Sequence, residues 1–101
     1  MKPASGNDAT VVAAIFEAEM SREQAEELAR LMHDGRETRP DGVLTAALTF
    51  DDGFARLTAY WKDRDTLDRY FAAASVPRGV ELMRKVGVEP QVTIVEVLEL
   101  G

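Results

Sequence analysis

Three side chains in this sequence could do chemistry that their neighbours could not. His33 is the only histidine, and imidazole is the side chain that exchanges protons most readily near neutral pH. Trp61 is the only tryptophan, and both tyrosines, Tyr60 and Tyr70, lie with it in one short stretch, TAYWKDRDTLDRYF, from Thr58 to Phe71. A phenol such as Tyr70 can hold a substrate oxygen by a hydrogen bond. It can equally be a core tyrosine with its tip at the surface, since a buried hydroxyl needs a partner in either case. His33 can move a proton, or simply complement the dipole at a helix C-terminus.

The remaining candidates are apolar. Trp61 shares a strand face with Ala55, Leu57 and Ala59, whose small members leave room beside the indole. That arrangement makes either a pocket floor, with Leu57 in its wall, or a bulky core plug. Tyr60, one residue earlier, points to the opposite face. Phe71 follows Tyr70 on the same helical stripe. Met32 and Met83 would give an adaptable apolar lining or fill the core. Arg78, Arg84 and Lys85 flank a short helix; the last two complement its macrodipole, and an anion-binding rim is not specifically indicated. Glu17 and Glu19 share a strand face with Arg56 and are expected to pair with it. No metal-ligand spacing occurs, and with no cysteine, disulfides, thiolate chemistry and Cys-ligated zinc or iron–sulfur sites are excluded.

These residues must be positioned by regular elements, and the sequence marks them well. TVVAAIFEAEM (Thr10–Met20) is an apolar, β-rich run ending at Ser21. SREQ is a capping box, and Ala25, Leu28, Ala29 and Met32 follow at helical spacing. Gly35 suits the C-terminal cap, and RETRPDG reads as a loop. Val43–Phe50 and Phe54–Trp61 alternate as two strands joined by DDG, a hairpin signal. Strict alternation sets Leu44, Ala46, Leu48 and Phe50 on one face, and Val43, Thr45, Ala47 and Thr49 on the other.

Asp63 or Asp65 caps a second helix with the stripe Leu67, Tyr70, Phe71 and Ala74. Pro77 suits the first turn of a third, short helix that ends at Gly87. VTIVEVLEL (Val92–Leu100) is the last strand. The order β-α-β-β-α(α)-β predicts an α+β, ferredoxin-like split βαβ fold: a four-stranded antiparallel sheet with helices on one face. Residues 1–8 are expected to be a flexible tail, and residues 9–101 a single domain.

The face of the sheet away from the helices is unusually apolar. Val11, Ala13 and Ile15 share it with Ala47, Val95 and Val97, and monomers rarely tolerate such a patch. A homodimer formed through this face is therefore expected. The 101 residues carry 12 basic and 18 acidic side chains, a net charge of −6. This disfavours a nucleic-acid partner. No apolar run reaches membrane-spanning length, no secretory signal is visible, and the chain is expected to be cytoplasmic.

From Val11 to Leu100 the chain resembles the antibiotic biosynthesis monooxygenase-like family of dimeric α+β barrels. The resemblance rests on the order of elements and on AYWKDRDTLDRYF, a strand ending in aromatic–Trp, then a charged turn and a helix. It implies a homodimer joined through its sheets, with a small-molecule pocket between sheet and helices in each subunit. Some members oxygenate aromatic substrates without metal or organic cofactor, and none is implied here. Trp61 matches the strand-end Trp. Oxygenating members tend to have Asn where this chain has Leu57, and often His where it has Tyr70. Haem-degrading relatives use a His after strand three, and residues 62–90 contain none. The resemblance implies a cofactor-independent oxygenase with Trp61 against the substrate and Tyr70 or His33 handling protons. The alternatives are a non-catalytic ligand-binding or structural dimer, and an isomerase or cyclase using the same pocket.

Overall fold

The computed structural model describes residues 10–100, so the tail expected over residues 1–8 lies outside the described residues. The elements are β1 (Val12–Glu19), α1 (Arg22–Asp34), a 3₁₀ turn (Arg36–Thr38), β2 (Val43–Asp51), β3 (Phe54–Trp61), α2 (Arg64–Ala73), α3 (Arg78–Lys85) and β4 (Gln91–Glu96). The strands form one antiparallel sheet in the order β2-β3-β1-β4. This is the α+β, ferredoxin-like split βαβ arrangement.

Local chemistry accounts for each boundary. Ser21 Oγ accepts from the Gln24 amide at 3.1 Å, and Gln24 Oε1 accepts from the Ser21 amide at 2.8 Å, a closed capping box. Gln24 Nε2 also donates to the Val86 carbonyl at 2.8 Å, fastening the start of α1 to the end of α3. Of the two candidate caps for α2, Asp63 does the work: its Oδ1 accepts from the Thr66 amide at 2.7 Å. Asp52 and Gly53 both have positive φ, 49° and 81°, as a tight β2–β3 turn requires. Pro77 stands one place earlier than expected, as the N-cap of α3.

One face of the sheet packs on the helices. Val12, Ala14, Phe16 and Ala18 of β1 and Ala55, Leu57 and Trp61 of β3 are buried there, against Leu28, Leu67, Val80, Leu82 and Met83. Removing a Leu or Met side chain from water this completely is worth about 1.5–3 kcal/mol. Gly79 permits the closest approach. A Cβ at that position would lie 2.6 Å from the ring of Phe16, so α3 could not sit this low on β1 with a larger residue. On the opposite face Ala13 pairs with Tyr60 and Val95, Ile15 with Thr58 and Thr93, and Glu17 with Arg56. The Arg56–Glu17 ion pair forms at 2.6 Å.

Two sequence expectations need correction. Val43 does not lie on the outer face. The β2–β3 register shifts between Val43 and Thr45, so Val43 stands opposite Trp61 and Thr45 opposite Tyr60. One extra residue, Leu44, is absorbed in this bulge and is half exposed. Strict alternation cannot anticipate such an insertion. The last strand also stops early, at Glu96 rather than Leu100. β4 pairs only with β1, and the final rung is the Val97 amide to the Val11 carbonyl at 2.9 Å. The strand ends there, and Leu98 is 89% exposed.

Candidate functional site

A cavity of about 480 Å³ lies between the sheet and the helices, a size that accommodates a small organic molecule. Phe16, Val43, Ala46, Leu48, Leu57, Ala59 and Trp61 form its sheet side. Ala29, Met32 and His33 of α1, Tyr70 and Phe71 of α2, and Arg78, Gly79 and Leu82 of α3 form the helix side. Arg36, Arg39 and Pro40 complete it. Ala29, His33, Arg36 and Arg39 are exposed and mark the open side, whereas Leu57 and Trp61 are buried at its depth.

The alternation of β3 explains why the floor can be hollow. Ala59 stands between Leu57 and Trp61 on the helix side, and Ala46 pairs with Ala59 from β2. Two methyl groups thus stand side by side where larger residues would have closed the space. The bulge contributes Val43 to the same wall.

The aromatic residues form a connected wall. The Trp61 and Tyr70 rings lie 5.2 Å apart with planes inclined at 36°, and Tyr70 meets Phe71 edge-on at 5.9 Å. The Tyr70 hydroxyl accepts the Arg78 amide hydrogen at 2.8 Å. Pro77 offers α3 no side-chain cap, so the phenol from α2 satisfies an amide that the helix itself leaves open. Its own hydrogen remains able to donate. Asp63, which anchors the start of α2, has a carboxyl held below the ordinary aspartate range, chiefly by hydrogen bonding to the Thr66 side chain and then to its amide.

Arg78 organises the open side. Its guanidinium donates to the Gly35 carbonyl at 2.5 Å, and to the Thr38 hydroxyl and carbonyl at 2.7 and 3.3 Å. One side chain of α3 therefore holds the 3₁₀ turn that follows α1. Arg36 and Arg39 lie on that restrained segment.

Of the residues singled out in the sequence, Trp61, Leu57, Tyr70, Phe71, Met32 and His33 all line this one cavity. Met83 does not. Gly79 and Leu82 present one side of α3 to the cavity, and Met83, about 100° further round the helix, is fully buried in the core. Arg36 and Arg39 were missed by sequence reasoning. The only signal was a pair of cations three residues apart in RETRPDG, and exposed loop arginines are too common for that to stand out. Arg78, expected at the flank of α3 in a structural role, holds the segment that carries Arg36 and Arg39. Among the described residues no cluster of three or more His, Asp or Glu is placed to hold a metal ion, and no helix is long and apolar enough to cross a membrane.

Neither a protein-family model nor a curated protein sequence matches the chain. Solved structures do match its fold. The ActVA-Orf6 monooxygenase of Streptomyces coelicolor, in complex with nanaomycin D, superposes with a TM-score of 0.65 at 17% identity, covering 92% of this chain and 91% of that one. A proposed antibiotic biosynthesis monooxygenase of Deinococcus radiodurans gives 0.61 at 21% identity, covering 88% and 94%. The haem-degrading protein of Mycobacterium tuberculosis, in its haem-free form, gives 0.59 at 19% identity, covering 92% and 98%. At these identities the likeness is one of architecture, which is shared here by a monooxygenase and a haem-degrading protein. The chain has the fold of the antibiotic biosynthesis monooxygenase-like proteins.

Proposed function

We propose that this protein is a homodimer in which each subunit binds a small apolar or aromatic molecule in the sheet–helix cavity and oxygenates it without a cofactor. The observation that carries this reading is that Trp61, Tyr70 and His33 line one cavity whose depth is apolar. In such chemistry the substrate supplies the electrons. Loss of a proton from a phenol or activated methylene leaves an electron-rich anion that can reduce dioxygen. His33 at the open side accepts that proton, the Tyr70 hydroxyl donates a hydrogen bond to a substrate oxygen, and Trp61 packs against the substrate ring. The apolar depth limits competing water.

The outer sheet face supports the dimer. Val11, Ile15, Tyr60 and Val95 surround the buried Ala13 on this face; the first three are half-buried and Val95 is 40% exposed. A second copy related by a two-fold axis would cover it at about 25 cal/mol per Å² of apolar surface before association costs. The cysteine-free composition supports a cytoplasmic setting.

A second reading, ligand binding without turnover, is favoured by Leu57. This buried side chain occupies the cavity wall with no polar atom to orient a substrate. Oxygen uptake with a panel of polyphenols separates the two. Uptake by the wild type, lost in His33→Gln and in Trp61→Phe, is the expected result. Saturable binding with no uptake from any compound would leave only the binding role.

A further inference from the structure

The charge pattern around the cavity narrows the class of molecule it takes. The chain is acidic, with a net charge of −6, yet no Asp or Glu lines this cavity: its ionisable groups are His33, Arg36, Arg39, Arg78 and Tyr70. The arginines sort themselves in the same way. Arg22, Arg30, Arg56, Arg64 and Arg84 each have a carboxylate partner within ion-pair distance. Among the described residues the four without one are Arg36, Arg39, Arg69 and Arg78. Three of them line the cavity; the fourth, Arg69, lines an adjoining concavity that also holds Asp41 and Glu81 and so adds nothing to the pattern. Arg78 is spent on the Gly35 and Thr38 oxygens. Arg36 and Arg39 are not so engaged, and they sit on the segment that Arg78 holds in place.

We propose that the cavity takes an amphipathic anion, an aromatic or alicyclic acid whose ring enters the Trp61–Phe71 depth while its carboxylate meets Arg36 and Arg39 at the open side. This rests on the ligand-binding part of the function proposed above and specifies its substrate class. The physical reasoning has two parts. Planar guanidinium groups pair with carboxylates through parallel hydrogen bonds, and an apolar depth rewards the uncharged remainder of the same molecule. An anion approaching a net-negative protein is repelled almost everywhere, so a local patch of unneutralised arginines also directs it to this opening.

Trp61 makes the test direct, because the chain's single indole lies in the cavity wall and its NH resonance reports occupancy. The probes are naphthoate and naphthalenemethanol, the same ring system with and without the charge. Both are expected to shift the indole resonance, with naphthoate binding about tenfold more tightly, a modest margin because the arginines are solvent-exposed. The double variant Arg36→Gln/Arg39→Gln should reduce naphthoate to the affinity of the alcohol and leave the alcohol unchanged. Raising salt to about 0.5 M should narrow the gap in the wild type, since exposed charges are then screened. Equal affinities in the wild type, or a double variant that weakens both probes alike, would overturn the anion assignment while the binding cavity stands. An indole resonance that neither probe moves would remove the cavity reading along with it.

Discussion

The Tyr70 hydroxyl accepts the Arg78 amide hydrogen at 2.8 Å, so a side chain of α2 caps the first turn of α3. The same Arg78 reaches from that turn to Gly35 and Thr38. Three segments bordering the cavity are thus joined through two adjacent hydrogen-bonding positions. Tyr70→Phe keeps the ring against Trp61 and removes only this acceptor. We expect a loss of about 1 kcal/mol, the usual value for one such bond, measured by urea denaturation. A variant as stable as the wild type would show that the bond contributes nothing to the fold and would leave the phenol a purely chemical role.

Gly79→Ala should destabilise despite alanine's greater helix propensity. The added Cβ would meet the Phe16 ring at 2.6 Å, and overpacking of this kind costs about 1–3 kcal/mol. The propensity gain of about 1 kcal/mol offsets part of that. Denaturation midpoints decide the sign, and a more stable variant would mean that α3 can lift from β1 freely.

Met83 and Met32 separate core from cavity. Met83→Ala, at a fully buried site, should cost about 2–5 kcal/mol of stability while leaving naphthoate affinity within about twofold, as expected for a residue outside the lining. Met32→Ala, in the lining, should cost less stability and change affinity more. Titrations of the Trp61 indole resonance on the two variants make the comparison.

The Asp63 cap should fail in acid. Its carboxyl is more acidic in the folded chain than in the unfolded one, so the stabilisation is complete above the ordinary aspartate value, about pH 4. It fades as pH falls through the lower folded value. The melting temperature of Asp63→Ala should lie below that of the wild type at neutral pH, and the gap should close on acidification. Asp63→Asn, which still caps, should show a smaller gap at neutral pH. A gap that does not change with pH would detach the cap from its charge.

The outer face predicts association. Sedimentation at micromolar concentration should return twice the 11.1 kDa chain mass, and Val95→Glu should return the single mass, because a buried unpaired carboxylate is costly at an apolar interface. A wild type that sediments as a single chain would remove the dimer from the proposal.

The sequence made the fold legible because its signals were local. A capping box, an Asp-Gly turn and two kinds of apolar periodicity each act within a few residues, and all agreed on one topology. The cavity was partly legible for the same reason. Trp61 and its small neighbours announce a hollow on one face of β3, and the stripe of α2 announces what lies above it. The rest depended on relations between distant segments. The bulge that turns Val43 inward adds one residue to a strand without marking it in the sequence. Met83 and Leu82 are both apolar and adjacent, and only the roll of α3 decides which meets the cavity. Arg36 and Arg39 acquire meaning only once Arg78, some forty residues later, fixes the turn that bears them.

The bulge at Leu44 has a further effect on how copies of this chain can meet. β2 is one border of the sheet, and a regular border strand offers its free amides and carbonyls to any extended segment that drifts alongside. An extra residue at its start throws that ladder out of step, so a neighbour could match only part of its length. Pairing along this border is thereby limited to part of the strand's length, which suits the face-to-face association of two copies proposed above better than edge-to-edge growth from β2.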